Sequence, residues 1–350
     1  MGNNSSSLAH LNSQRSFEMV NITQHDVSSD ETEEKQTVFN IFHMEKKEDA
    51  GIITKPLENI MTCEYNVQFK IAYSQMSEPN THKEHPNEDD IFVRQYDRNG
   101  DNVFVAAVLD GHQGINALNY VQSTLFDALS NMLFENPENI PDHVCEIFQQ
   151  IDTTYCEEKA ELLRQITAPS RRVCFCGSRR SDLHHENLFL GCGCVLSLLC
   201  IHNNQLLLAG LGDCGIVFSI GGRARYALNR HNPTDALEKQ RILMAGGSVL
   251  NNRVDNMLEV SRSIGDVWFK KSYQTRSFGA PSDPRQDVVI AEPDVKIYPL
   301  SSDVEFCIIG SDGLFASLSF QTAINVVKDF ISRGRSGEDA CRELITRARA

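Results

Sequence analysis

Residues 103–114 read VFVAAVLDGHQG. Seven small or apolar residues, Val103 to Leu109, run unbroken and stop at Asp110-Gly111-His112. The run has the length and composition of a buried strand. A carboxylate, a residue without a side chain and an imidazole at its tip mark a candidate site.

Three further stretches repeat the pattern. LLLAGLGD ends at Asp213, FCIIGSD ends at Asp312, and the acidic cluster Glu88-Asp89-Asp90 precedes the apolar IFV. Carboxylates gathered at strand tips repel one another and resist desolvation unless something positive lies between them. Hard divalent cations such as Mg²⁺ and Mn²⁺ suit oxygen donors of this kind. Gly111 lets its carbonyl approach such an ion closely, and His112 could pass a proton to a leaving group beside it. A lone Asp at a strand end more often just begins a turn; four acidic tips in one domain make that reading weaker.

The bulk composition sets limits. The chain has 350 residues, 41% of them hydrophobic, and a formal net charge of −14. That balance argues against nucleic-acid binding, which needs a basic footprint, and against docking on anionic membranes. No run of about 18 apolar residues occurs. The cysteines number eleven and are scattered, which fits a reducing compartment, cytoplasmic or nuclear. Gly2 and Ser6 match the N-myristoylation pattern. One acyl chain without a basic patch holds a protein to membrane only marginally, so no stable anchor is expected.

Residues 1–58 are rich in Ser, Asn and Glu and carry the acidic run SSDETEEK. Their composition predicts a disordered polar segment, with a single domain over 59–350. Helical periodicity marks 115–134, about 143–166, the TDALEKQRILM stretch, 319–334 and 337–349. Short antiparallel-type strands between them predict packed sheets flanked by helices. Residues 167–187 break both periodicities and form a basic island with Arg171, Arg172, Arg179 and Arg180. Cys174, Cys176, His184 and His185 in it are zinc-ligand types. Their spacing is not that of a usual finger, so a plain surface loop is the simpler reading.

These segments, in order, resemble the metal-dependent protein phosphatases of type 2C. NEDD resembles the family's first acidic motif, and VLDGHQG its Asp-Gly-His-Gly-Gly. AGLGDCGIVFS, HNPTDALEKQRILMAGGSV, LEVSRSIGD, VIAEPDV and IIGSDGLF resemble the segments that follow. The resemblance implies an α+β fold of two stacked antiparallel sheets flanked by helices. It implies a binuclear Mn²⁺ or Mg²⁺ centre in which Asp110 bridges both ions and the Gly111 carbonyl binds one. Glu88 would ligate the second ion and Asp312 the first, with Asp89 outside them. Asp213 and Asp312 would suit a weaker third ion. Water would attack phosphorus in line while His112 protonates the leaving Ser or Thr oxygen. Partners would be phosphoserine and phosphothreonine proteins, met by a monomer.

The pattern also departs from the family. The phosphate-gripping Arg is expected at position 84, which is Glu84. Two unit charges at about 6 Å interact by roughly 3 kcal/mol at an effective dielectric near 20, so the reversal turns an attraction into a repulsion of that size. Lys83, His82 and His85 lie nearby but lack the bidentate fork of Arg. Ser-Gly-x-Thr-Ala appears as LGCGC, with Gly193 and Cys194 last. Gly215 replaces an Arg, and Phe315-Ala316 a Trp-Asp. The family continues into a Gly-Ser-x-Asp-Asn segment with one more metal ligand and a final strand where this sequence stops at Ala350, so the resemblance implies a domain incomplete at its C-terminal end, lacking its last strand and one metal ligand. Two readings result: a degenerate phosphatase that binds metal and phosphoproteins with weak or absent turnover, and an active Mn²⁺/Mg²⁺-dependent Ser/Thr phosphatase.

Overall fold

The computed structural model describes residues 38–46, 69–77, 88–167, 191–274, 283–301 and 303–349. Two antiparallel sheets stack face to face. The first runs β2 (Phe69–Ser77), β1 (Val38–Lys46), β13 (Val304–Gly310), β7 (Gly215–Ile220) and β8 (Arg223–Tyr226). The second runs β12 (Asp294–Pro299), β6 (Gln205–Leu211), β5 (Gly193–His202), β4 (Asp101–His112) and β3 (Asp89–Arg98). The short β11 (Ile264–Gly265) joins the start of β5.

Strand β4 shows why the quoted run is apolar throughout. Its alternate side chains point to opposite faces, and both faces are covered. Val103, Val105, Ala107 and Leu109 pack with α1 (Asn116–Glu135) and α2 (Ile140–Thr167). Phe104, Ala106 and Val108 pack between the sheets with Leu199, Leu208, Ile216 and Ile309. An antiparallel strand usually alternates polar and apolar residues because one face is wet; here neither is. A third core covers the outer face of the first sheet. There Val217, Phe306 and Ile308 meet α5 (Asp312–Phe315), α6 (Phe320–Ser332) and α7 (Gly337–Arg349). The layers therefore run helix, sheet, sheet, helix, as the periodicities predict.

One expectation needs correction. Strand β1 lies within residues 1–58, the stretch read as disordered. It pairs Phe39 with Gly310 and Lys46 with Phe69. The acidic run ends just before VFNIFHM, an apolar island that composition averaged over the whole segment conceals.

The segment between β8 and β11 holds α3 (Ala236–Met244). Glu238, on its inner face, is nearly buried and accepts hydrogen bonds from Arg262 at 2.6 Å and Arg241 at 3.0 Å. These two charge-assisted bonds hold its carboxyl down at about 2, against the opposing effect of burial. The arginines also donate to the carbonyls of Asp287, Val288, Ser261 and Glu292, so one carboxylate ties α3 to the segment before β11 and the segment before β12. No helix among the described residues is long and apolar enough to cross a membrane.

Candidate active site at the tip of the central strand

The site is built from strand ends. Asp110, Gly111 and His112 close β4, and antiparallel pairing sets Asp110 opposite Asp89 at the start of β3. Gly111 N–H donates to the Glu88 carbonyl at 2.9 Å. A Cβ on Gly111 would stand 2.6 Å from that oxygen, so the close approach of the two strands requires glycine there. Glu88 turns its carboxylate to the next bend, where Oε1 accepts from Gly114 N–H at 2.6 Å.

Asp213 sits in the turn between β6 and β7. That turn is pinned by His231: Gly212 N–H donates to His231 Nδ1 at 3.0 Å, and His231 N–H donates to the Gly212 carbonyl at 2.7 Å. Arg230 Nε donates to the Asp213 carbonyl at 2.7 Å. Asp312 follows β13 as the first residue of α5.

The electrostatics show that these carboxylates share one pocket. Burial pushes the Asp110 carboxyl well above the usual range, and the charges of Asp89, Asp312 and Asp213 push it further; Asp89 also hydrogen-bonds it. Asp213 is raised to about 6 by burial and by Asp312, against the pull of Arg230 and His112. Loss of the Asp110 proton is therefore disfavoured while no cation is bound. Burial disfavours a charged His112, but Asp266 outweighs it through charge and hydrogen bond, helped by Asp213 and Glu88, so the imidazole is raised.

The Asp266 contact was not foreseen from the sequence. His112 Nε2–H donates to Asp266 Oδ2 at 2.8 Å, and Ser263 Oγ–H donates to the same oxygen at 2.5 Å. Below this pair the buried Lys270 Nζ donates to Asp152 Oδ1 at 2.6 Å and to the Ser263 carbonyl at 2.9 Å. Asp152 Oδ1 also accepts from Gly265 N–H at 2.9 Å, which anchors the Asp266 bend to α2. The Gly-Asp pair at 265–266 repeats the pair at 212–213, a signal that could have found it.

Asp110, Gly111, His112, Glu88, Asp89, Asp213 and Asp312 are thus all brought to one end of the sandwich. Among the described residues, no three His, Cys, Asp or Glu side chains stand close enough to enclose an ion as they are. Protein partners occupy them instead: Gly114 for Glu88 and Asp89 for Asp110. The donor chemistry still fits a hard divalent cation, because the donors are oxygens and the raised Asp110 carboxyl reports crowded negative charge. Glu84 and its neighbours His82, Lys83 and His85 lie outside the described residues, as do Gly2 and the zinc-ligand types at 174–185. Of the 167–187 loop only Thr167, at the end of α2, is described.

Comparison with known proteins agrees with this architecture. Residues 73–350 match the family model described as Protein phosphatase 2C. "Probable protein phosphatase 2C 21" of Oryza sativa subsp. japonica is 26% identical over 300 residues, covering 83% of each chain. "Probable protein phosphatase 2C 11" from the same organism is 32% identical over 160 residues, 45% of this chain and 42% of the relative. The strongest sequence matches therefore span less than half the length of the curated relatives. The solved serine-threonine phosphatase 2C from Toxoplasma gondii shares the fold, with a TM-score of 0.52 at 17% identity, over 75% of this chain and 84% of that one. The strand-tip carboxylates, the stacked sheets and the match over 73–350 together establish that the chain belongs to the protein phosphatase 2C family.

Proposed function

We propose that this chain is a pseudophosphatase-like member of its family, one that binds Mn²⁺ or Mg²⁺ in the Asp110 pocket and engages phosphoserine or phosphothreonine proteins with weak or absent turnover. The observation that carries the reading is the pairing of Asp110 opposite Asp89, beside Gly111 tied to the Glu88 carbonyl; desolvation and the charges of Asp89, Asp312 and Asp213 hold the Asp110 carboxyl well above the usual range there. A divalent cation would offset that crowding of negative charge. Asp110, Glu88, Asp312 and the Gly111 carbonyl would hold one or two ions, with Asp213 and Asp89 around them. When bound, the cation would neutralise the carboxylates and polarise a phosphoryl oxygen. The chain's own groups would then orient the phosphoester, and His112 would carry the proton for its leaving oxygen. Glu84 stands where a phosphate-gripping Arg is expected, and this weakens the grip on the dianion. In this reading the protein acts as a monomer in the cytoplasm or nucleus, with weak membrane association if Gly2 is acylated.

The second reading, an active Ser/Thr phosphatase, is favoured by the retained proton donor: His112 is raised and held by Asp266. Calorimetric titration with Mn²⁺ and a phosphopeptide turnover assay separate the two. The proposal expects cation binding that Asp110→Asn abolishes, with turnover near the no-enzyme rate. Robust turnover lost in Asp110→Asn establishes the second reading. Absence of any cation binding sinks both.

A further inference from the structure

Position 193 shows how closely His112 and Asp266 are fitted together. Gly193 opens β5 and lies between β4 and β11, opposite His112 on one side and Gly265 on the other. A Cβ built on Gly193 would stand 2.2 Å from His112 Nε2 and 2.3 Å from Asp266 Oδ2. The imidazole and the carboxylate therefore meet in the space a side chain would fill. Gly193 has no positive φ, so its backbone accommodates alanine; what it lacks room for is the Cβ.

Asp266 itself is held in a costly state. It is a buried carboxylate at 0% exposure, with φ at +51°, in the left-handed region that non-glycine residues rarely adopt. Its Oδ1 has no hydrogen-bond partner among the described residues, while Oδ2 takes both His112 and Ser263. Its backbone N–H is fixed to the Cys192 carbonyl at 3.0 Å, and the Lys270–Asp152 pair secures the bend from beneath. A bend that served packing alone would be met more cheaply by a neutral residue.

We propose that Asp266 is the positioning residue for His112, and that Gly193 is the notch that lets the two meet. The carboxylate fixes the ring proton on Nε2 and the plane of the imidazole, which leaves Nδ1 as the nitrogen to face the phosphoester. This rests on the reading that His112 serves the leaving oxygen of a phosphoester.

Two experiments test it on the full chain. In ¹⁵N-histidine-labelled protein with Mg²⁺, the His112 Nε2–H proton, assigned by its loss in His112→Gln, is expected at low field. It should move upfield or vanish in Gly193→Ala and in Asp266→Asn. Circular dichroism checks folding, and Asp266→Asn carries the test if Gly193→Ala fails to fold. This readout needs no turnover, so it stands apart from the question of activity.

Where turnover is measurable, both variants should lower kcat for phenyl phosphate at least about tenfold, with KM within about twofold. p-Nitrophenyl phosphate, whose leaving group needs no proton, should change little. A low-field signal unaltered by both variants, or equal losses on the two esters, overturns the proposal.

Discussion

The crowding of carboxylates has a measurable consequence for stability, and Asp213 gives its size. In the folded chain its carboxyl lies at about 6 instead of 3.8, through burial and the charge of Asp312. Each unit corresponds to 1.36 kcal/mol, so the whole shift is worth about 3 kcal/mol. Because the native value lies above the unfolded one, the native state binds the extra proton. The contribution is therefore fully favourable only below about pH 4 and is lost as pH rises through about 6. Relative to Asp213→Asn, the wild type should lose about 2–3 kcal/mol of stability between pH 4 and pH 7.5. Urea unfolding of both proteins in EDTA, followed by far-ultraviolet circular dichroism, measures that difference. Saturating Mg²⁺ should flatten it, because a cation favours the charged carboxylates. A difference independent of pH, or one of opposite sign, would refute the picture of mutually repelling carboxylates.

The ion pairs give further expectations. Glu238→Gln should cost about 3 kcal/mol by stranding Arg262 and Arg241. It should also remove the stability that the wild type loses as pH falls from 4.5 toward 2; chemical denaturation across that range checks both. Lys270→Met should cost about 3–5 kcal/mol because Asp152 is then buried without its partner. Adding Asp152→Asn should recover much of that loss in a double-mutant cycle. Gly111→Ala forces a Cβ to within 2.6 Å of the Glu88 carbonyl, so it should cost about 1–3 kcal/mol and weaken Mn²⁺ binding in the same calorimetric titration.

Much of this site is legible in the sequence because its residues stand where hydrophobic runs end. Asp110, Asp213 and Asp312 each follow a strand of buried residues, and a charge after such a run is conspicuous. The pairing of Asp89 with Asp110 follows from two consecutive antiparallel strands joined by the tight Asn99-Gly100 turn. Asp266 is harder to find. It follows only a two-residue strand, and its function depends on a gap at position 193, some seventy residues earlier. Lys270 and Asp152 give no local sign at all; a lysine after Phe269 and an aspartate in a polar helical stretch read as surface residues until the packing buries them. Strand β1 is obscured by its acidic surroundings, since composition averages over exactly the length that separates an eight- or nine-residue strand from a tail.

The place of β1 bears on how the chain is made. It lies between β2 and β13, paired with residues 306–310. On a ribosome adding about 5–20 residues per second, β1 emerges roughly 15–50 s before its inner partner exists. During that interval β1 and β2 have only each other, and an isolated two-stranded ribbon is marginal in water. The second sheet, whose strands β3 to β6 all precede residue 212, can assemble first. The first sheet closes last, around a strand that has waited through most of synthesis with an open edge, the condition in which nascent chains aggregate or recruit chaperones.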